Sequence, residues 1–341
     1  MAMIARRNLL ASLAAALALP RLAPAAAPRP KFATLAPRGS LYERVLLEVG
    51  EAWRGAAGAP GGFTVYADGV DGDESDIVRR MRIGQLDGGM ISVVGLSAIE
   101  PGVAALQYMP LMFRSWEEVD AVSRRLRPLL EQRISQHGFV VLYWGEAGWV
   151  RFFTKTEAVR PDDFKHLKIF SWSGTPQQVE LMRALGYQPV ALETADILPS
   201  LQTGLIDTVP VIANWALAAQ LDRRAGHMLD MRWVPIVGAA VITRKTWDDM
   251  APGVQQAVRE AAVKASDALR ADRERADQAA IEAMRKRGLQ VHTLPAEALA
   301  EWQRLVAASY PRIRGGMVPP DMFDLVQQTL GEFRAGESAK S

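Results

Sequence analysis

The chain has 341 residues, 49% hydrophobic and 23% charged, a globular composition that excludes wholesale disorder. Its 40 Lys and Arg face 38 Asp and Glu, and a net charge of +2 removes the electrostatic case for nucleic acid. There is no cysteine, which excludes disulfides, thiolate metal sites, Cys nucleophiles and a lipidated N-terminal cysteine; the 4 histidines are scattered without metal-ligand spacing.

Residues 1–27 read as a cleaved signal peptide. Arg6 and Arg7 form the charged region, Leu9 to Leu19 the apolar run, and Ala23-Pro24-Ala25 the small-residue cleavage site. The run falls short of the about 20 apolar residues that span a bilayer. Paired arginines before an Ala-rich run point to twin-arginine export, with an ordinary secretory signal as the alternative. Cleavage after Ala25 removes three arginines and no acid, taking the net charge from +2 to −1. No later segment is apolar enough to cross a membrane, so the mature chain is expected to be exported and soluble.

Phe32 to Leu35 reads as a first strand, followed by a helix from about Ser40 to Arg54. Two segments about 120 residues apart then resemble each other, Asp76-Ile-Val-Arg-Arg-Met-Arg-Ile-Gly-Gln-Leu-Asp87 and Asp196-Ile-Leu-Pro-Ser-Leu-Gln-Thr-Gly-Leu-Ile-Asp207. Each predicts a helix opened by Asp at the positive end of the dipole and stopped by a left-handed Gly84 or Gly204. Strands are expected before each (Phe63 to Tyr66, Gln188 to Val190) and after each, from Leu86 and from Ile206. One β-α-β unit thus occurs twice, which predicts two related α/β lobes.

Between and after the copies, Ser115 caps a predicted helix running to about Gln136. Val140 to Trp144, Val150 to Thr154, Leu167 to Phe170 and Ala239 to Thr243 read as strands. From Pro252 to Arg287, apolar residues recur at three- and four-residue steps, so a single helix of about 54 Å is expected to run along both lobes. The polar tail, residues 334–341, is expected to fray.

Enzyme motifs are absent: no nucleophile elbow, zinc-helix motif, phosphate loop or dinucleotide fingerprint. The acidic run Asp71 to Asp76 is not a calcium loop, because its twelfth position is Arg82; a turn before a helix accounts for it. Nine tryptophans are conspicuous, with Trp144, Trp149, Trp172, Trp215 and Trp233 in the middle third. Ligands bind beyond the carboxyl ends of strands in such sheets, which favours Trp172 and Trp215 as cleft residues and leaves the others to core packing. Arg151 lies in an apolar strand, Gly-Trp-Val-Arg-Phe-Phe-Thr, and a buried charge needs a partner. Either a protein carboxylate or a ligand carboxylate held bidentately supplies it.

Several motifs in order carry a family resemblance: Gly72-Asp73-Glu74, Arg82-Ile83-Gly84-Gln85-Leu86-Asp87, Met109-Pro110-Leu111-Met112-Phe113, Arg151-Phe-Phe-Thr, Pro161 to Ile169, and Leu201 to Asp207. From about Lys31 to Phe333 the chain resembles the DctP-like solute-binding receptors of tripartite ATP-independent periplasmic (TRAP) transporters. The resemblance implies an α/β two-lobed periplasmic binding protein (Venus-flytrap) fold with hinge strands and a long helix bracing both lobes. Lobe I would take residues 28–148 plus 237–276, and lobe II residues 149–236 plus 277–333. It implies a periplasmic receptor without enzymatic activity or cofactor that passes a small organic acid to TRAP permease subunits in the inner membrane. A sensor feeding a signalling receptor, or an ABC-type solute-binding protein, is the alternative.

In this family an arginine that clamps the substrate carboxylate usually follows the Leu-Lys-Ile stretch; here that position is Phe170. The ligand-contacting asparagine position is Val211. The resemblance further places Ser92, Trp172, Ser173 and Thr194 against the ligand, with Arg151 matching a second arginine used by some members. Asn214 and Trp215 complete the expected site. The loss of two polar anchors implies a monocarboxylate or an aromatic or hydrophobic acid as ligand.

Overall fold

The computed structural model describes residues 29–58 and 62–339. The signal-peptide reading of residues 1–27 lies outside the described residues. The first lobe opens with β1 (Lys31–Thr34), α1 (Leu41–Ala56), β2 (Thr64–Tyr66), α2 (Glu74–Arg82) and β3 (Gly88–Ser92). These strands are parallel, in the order β2-β1-β3. Next come α3 (Val93–Ser97), a 3-10 turn (Pro101–Leu106), α4 (Trp116–Gln136), which Ser115 caps as expected, and β4 (Phe139–Thr154). The second lobe repeats the plan with β5 (Lys168–Trp172), α5 (Pro176–Ala184), β6 (Gln188–Leu192), α6 (Ile197–Thr203) and β7 (Thr208–Ile212), ordered β6-β5-β7.

The sequence repeat has a local cause at each copy. Gly84 and Gly204 turn the chain at φ +73° and +75°, a region a Cβ resists. Three residues later, Asp87 Oδ2 accepts a hydrogen bond from the Lys31 amide at 2.8 Å, and Asp207 Oδ2 accepts one from the Lys168 amide at 3.2 Å. Each aspartate thus fixes the start of the neighbouring strand. Asp196 is the N-cap of α6 as expected, whereas Asp73 is the N-cap of α2 and Asp76 lies in its first turn.

The chain continues through α7 (Ala213–Ala218), β8 (His227–Asp230), β9 (Pro235–Thr243), α8 (Arg244–Asp248), α9 (Pro252–Arg285), β10 (Gln290–Thr293), α10 (Ala296–Gly316) and α11 (Pro320–Ser338). Strand β4 is continuous where two strands were expected. It pairs antiparallel with β9 from Phe139 to Trp149, then with β7 and β8 to Thr154. Register irregularities between Val141 and Tyr143 and between Glu146 and Gly148 break its alternation, which is why the sequence looked interrupted. Because β9 also pairs with β3, β4 and β9 together connect the lobes.

Helix α9 packs on α1, β4 and α7, and its side chains explain its span. Val254, Val258, Ala262, Ala265 and Leu269 join the first lobe's core, and Ala280, Ile281 and Met284 join the second's. Between them lie two buried charges, Arg273 and Asp277. Arg273 donates to both Asp120 oxygens at 2.8 and 2.7 Å; Asp277 faces Arg151. The helix is therefore apolar at its ends and ionic where it passes the crossover strands.

Residues 334–338, expected as an irregular tail, are helical. They continue α11, and Arg334 holds that end by pairing with Glu118 at 2.7 Å and donating to the Met112 carbonyl at 2.8 Å.

Candidate functional site

Between the lobes lies a cleft of about 580 Å³. Thr34, Ser92, Trp172 and Ile212, at the carboxyl ends of β1, β3, β5 and β7, all reach it. That is where strand ends leave backbone groups and helix starts facing a gap. Gly145 and Ala147 from β4, Ile236 and Gly238 from β9, and Leu269, Asp272, Arg273 and Ala276 on α9 form the floor.

Glu74, the first residue of α2, is buried at the first lobe's side of the cleft. Its carboxylate accepts from the Ser92 amide at 2.8 Å, the Ser92 hydroxyl at 2.6 Å and the Gly95 amide at 2.8 Å. Burial pushes its carboxyl above the ordinary range, opposed by those three bonds. Glu74→Ala strands buried amide donors, so unfolding free energy should fall by about 1–3 kcal/mol in a denaturant titration. An unchanged midpoint would mean that water replaces the carboxylate.

A hydrogen-bond chain crosses the gap. Trp172 Nε1 donates to Thr194 Oγ1 at 3.1 Å, and Thr194 donates in turn to Asp73 Oδ1 at 3.3 Å. Asp73 Oδ1 also accepts the Glu74 amide at 3.1 Å, and burial raises its carboxyl. One lobe is thereby tied to the other through a side chain from each. Removing the bond with Thr194→Val should weaken closure by about 1 kcal/mol, roughly fivefold in the open–closed ratio. Small-angle scattering of the variant should show a larger radius of gyration; superimposable curves would dismiss the tie.

Among the described residues, three arginines line the cleft: Arg38, Arg44 and Arg273. Arg273 is spent on Asp120, and Arg38 sits 3.4 Å from Asp68 in an exposed pair. Arg44 donates only to the Gly39 carbonyl, at 2.7 Å, and has no carboxylate partner among the described residues. Loop 35–40 and the first turn of α1 place it there, and Tyr42 ties that turn to the hinge by donating to the Ala147 carbonyl at 3.1 Å.

Of the residues expected from the sequence, Ser92, Trp172, Thr194, Val211, Asn214 and Trp215 line this cleft. The other three do not. Phe170 is 1% exposed and belongs to the second lobe's core, with the Trp172 ring edge-on above it at 4.7 Å. Ser173 is exposed outside the lining, its amide donating to the Leu192 carbonyl. Arg151 is 1% exposed and faces protein carboxylates: Asp230 Oδ1 lies 2.8 Å from Nε and Asp277 Oδ2 lies 2.8 Å from Nη1. Sequence reasoning missed Arg38, Tyr42, Arg44, Glu74, Gln107 and Tyr143. The strand-end rule applied to β1 would have pointed to the first three.

Residues 32–314 match the family model for bacterial extracellular solute-binding protein, family 7 (DctP). The chain belongs to this family. It is a family of solute-binding proteins, not enzymes. A C4-dicarboxylate-binding periplasmic protein DctP from Rhodobacter capsulatus is 22% identical over 200 residues, covering 58% of this chain and 60% of that protein. The 2,3-diketo-L-gulonate-binding periplasmic protein YiaO of Escherichia coli is 23% identical over 233 residues, covering 67% and 70%.

Among solved structures, a TRAP periplasmic solute-binding protein from Xanthobacter autotrophicus with bound β-D-galacturonate superposes with TM-score 0.80 at 19% identity, covering 89% of this chain and 99% of that one. A Bordetella pertussis extracytoplasmic solute receptor binding pyroglutamic acid does so with TM-score 0.80 at 17% identity, covering 89% and 99%. At that identity the likeness shows the fold: the α/β periplasmic binding protein fold of TRAP receptors, with α9 contacting both lobes. Among the described residues, no helix is long and apolar enough to cross a membrane.

Proposed function

We propose that this DctP-family receptor closes its two lobes on a small organic acid and delivers it to a TRAP-type permease, and that Arg44 is its main carboxylate anchor. The observation that carries the anchor is the contrast among cleft arginines: Arg273 and Arg38 face acids, and Arg44 faces none. The ligands named for the relatives support the class, since galacturonate, pyroglutamic acid, C4-dicarboxylates and diketogulonate are all acids. Closure then follows from differential affinity, because a ligand touching both lobes favours the state in which both are near. Residues 28–148 plus 237–276 form lobe I and 149–236 plus 277–333 form lobe II in this reading, the division falling inside the ionic middle of α9.

The ligand we favour is a monocarboxylate with an aromatic or hydrophobic body. Trp172, Val211, Trp215, Leu217 and Ile236 give the cleft wide apolar walls against a single free cation. The test is a calorimetric screen of purified mature protein with succinate, malate, galacturonate and aromatic monocarboxylates, paired with native mass spectrometry of any co-purified molecule. Binding of an acid with a radius of gyration that shrinks on addition is the expected result. No response to any acid, or release of a neutral or cationic solute, ends the reading. Co-purification with a permease supports delivery; co-purification with a kinase ectodomain would make the same site a sensor.

A further inference from the structure

A second cavity, of about 120 Å³, lies behind the cleft. It sits between the sheet of the second lobe and helices α5 and α10. Phe152 and Pro210 come from the sheet, Leu181 and Met182 from α5, and Trp302 and Leu305 from α10. Three residues, Gln107, Trp172 and Ile236, line both this cavity and the cleft, so the two compartments adjoin across them.

The chemistry of the second compartment is unlike that of the first. Among the described residues, no Asp, Glu, Lys, Arg or His lines it. Its polar groups are mostly engaged elsewhere: the Tyr187 hydroxyl donates to the Pro161 carbonyl at 3.3 Å, Trp302 Nε1 to the Val159 carbonyl at 2.9 Å, and Ser309 Oγ to the Val306 carbonyl at 2.7 Å. Tyr108 also lines it, with its hydroxyl buried and without a hydrogen-bond partner. An apolar cavity of roughly 150 Å³ holds a benzene molecule and stays free of water. The volume here is close to that, and its mostly apolar lining would leave most hydroxyls of a sugar ring unpaired.

We propose that the ligand site is bipartite: the acid's head is held in the inter-lobe cleft and its aromatic or branched apolar tail enters this side compartment past Trp172. This rests on the organic-acid reading above and narrows it to amphipathic acids. Trp172 becomes the dividing wall, held by its bond to Thr194 and lining both compartments. Such a tail gains by leaving water for an aromatic, mostly apolar lining, which succinate and uronates cannot exploit.

The experiment compares 3-phenylpropionate with propionate on wild-type protein by calorimetry, with succinate and galacturonate alongside. The phenyl acid should bind at least roughly tenfold more tightly than propionate, the equivalent of burying a few CH₂ groups. Leu305→Trp, at a partly exposed α10 position whose larger ring can reach into the cavity, should abolish that advantage and leave propionate binding unchanged. Equal affinities for the two acids, or an advantage that survives a folded Leu305→Trp variant, overturns the proposal. If only succinate or galacturonate binds tightly, the bipartite site falls and the organic-acid receptor stands. If none of the four binds and no acid is released, both fall. If that variant fails to fold, Met182→Trp on the facing helix α5 reads the same loss, and equal affinities on wild-type protein overturn the proposal without either variant.

Discussion

Replacing Arg151 by Met should lower the unfolding free energy by about 3–5 kcal/mol, the usual consequence of leaving one member of a buried ion pair alone. Arg151 and Asp277 are both buried, so the orphaned carboxylate cannot be rehydrated where it stands. Asp230, the second partner, is 45% exposed and loses little. The arginine joins hinge strand β4 to α9 through Asp277 and to the end of β8 through Asp230, so its loss loosens three elements at the lobe junction.

The double variant Arg151→Met, Asp277→Leu should recover most of the loss, since apolar groups of similar volume replace buried pairs at small cost. Burial already holds the Asp277 carboxyl above its ordinary range, with Arg151 pulling it back. A raised folded-state pKa means that the folded chain takes this proton more readily than the unfolded chain, so the site costs stability as pH rises through that range. Without Arg151 the carboxyl moves further up, and the variant's deficit should narrow as pH falls. Denaturant titrations at two pH values read all three effects. Because Arg151 does not line the cleft, ligand affinity in the folded variant should hold. A tenfold loss of affinity with stability intact would return Arg151 to the ligand.

What the sequence could disclose was local or repeated. The duplicated helix–Gly–strand–Asp segment was readable because each of its residues answers to a neighbour: a dipole, a left-handed turn, a strand start. The partner of Arg151 was not, because Asp277 lies 126 residues away and no spacing rule links a strand residue to a helix after two further folding units. Phe170 shows a subtler limit. It shares a strand face with Trp172, two residues on, and the family resemblance puts it beside the ligand. The sheet is deep enough that one residue of the pair reaches the cleft and the other packs beneath it among Phe153, Ile197 and Val209. Strand β4 failed differently, since its register breaks scrambled the pattern at the crossover where both lobes claim its backbone.

Arg44→Ala should weaken binding of a carboxylate ligand roughly 10- to 150-fold, the equivalent of about 1.5–3 kcal/mol for a charge-assisted hydrogen bond. The prediction follows from which charges are already answered. Arg273 cannot turn to a ligand without abandoning a two-pronged bond to Asp120, and Arg38 is half-neutralised by Asp68. Arg38→Ala should therefore have a smaller effect than Arg44→Ala. Arg44→Lys keeps the charge and loses the fork that grips both carboxylate oxygens, so it should fall between. Arg44 is exposed, which makes two further demands: stability should change by less than about 0.5 kcal/mol, and wild-type affinity should decline with added salt. Calorimetry with 3-phenylpropionate or any co-purified acid tests all of them. Equal losses in Arg38→Ala and Arg44→Ala would point to a diffuse positive rim in place of one anchor, and no loss in either would mean that neither arginine holds the carboxylate.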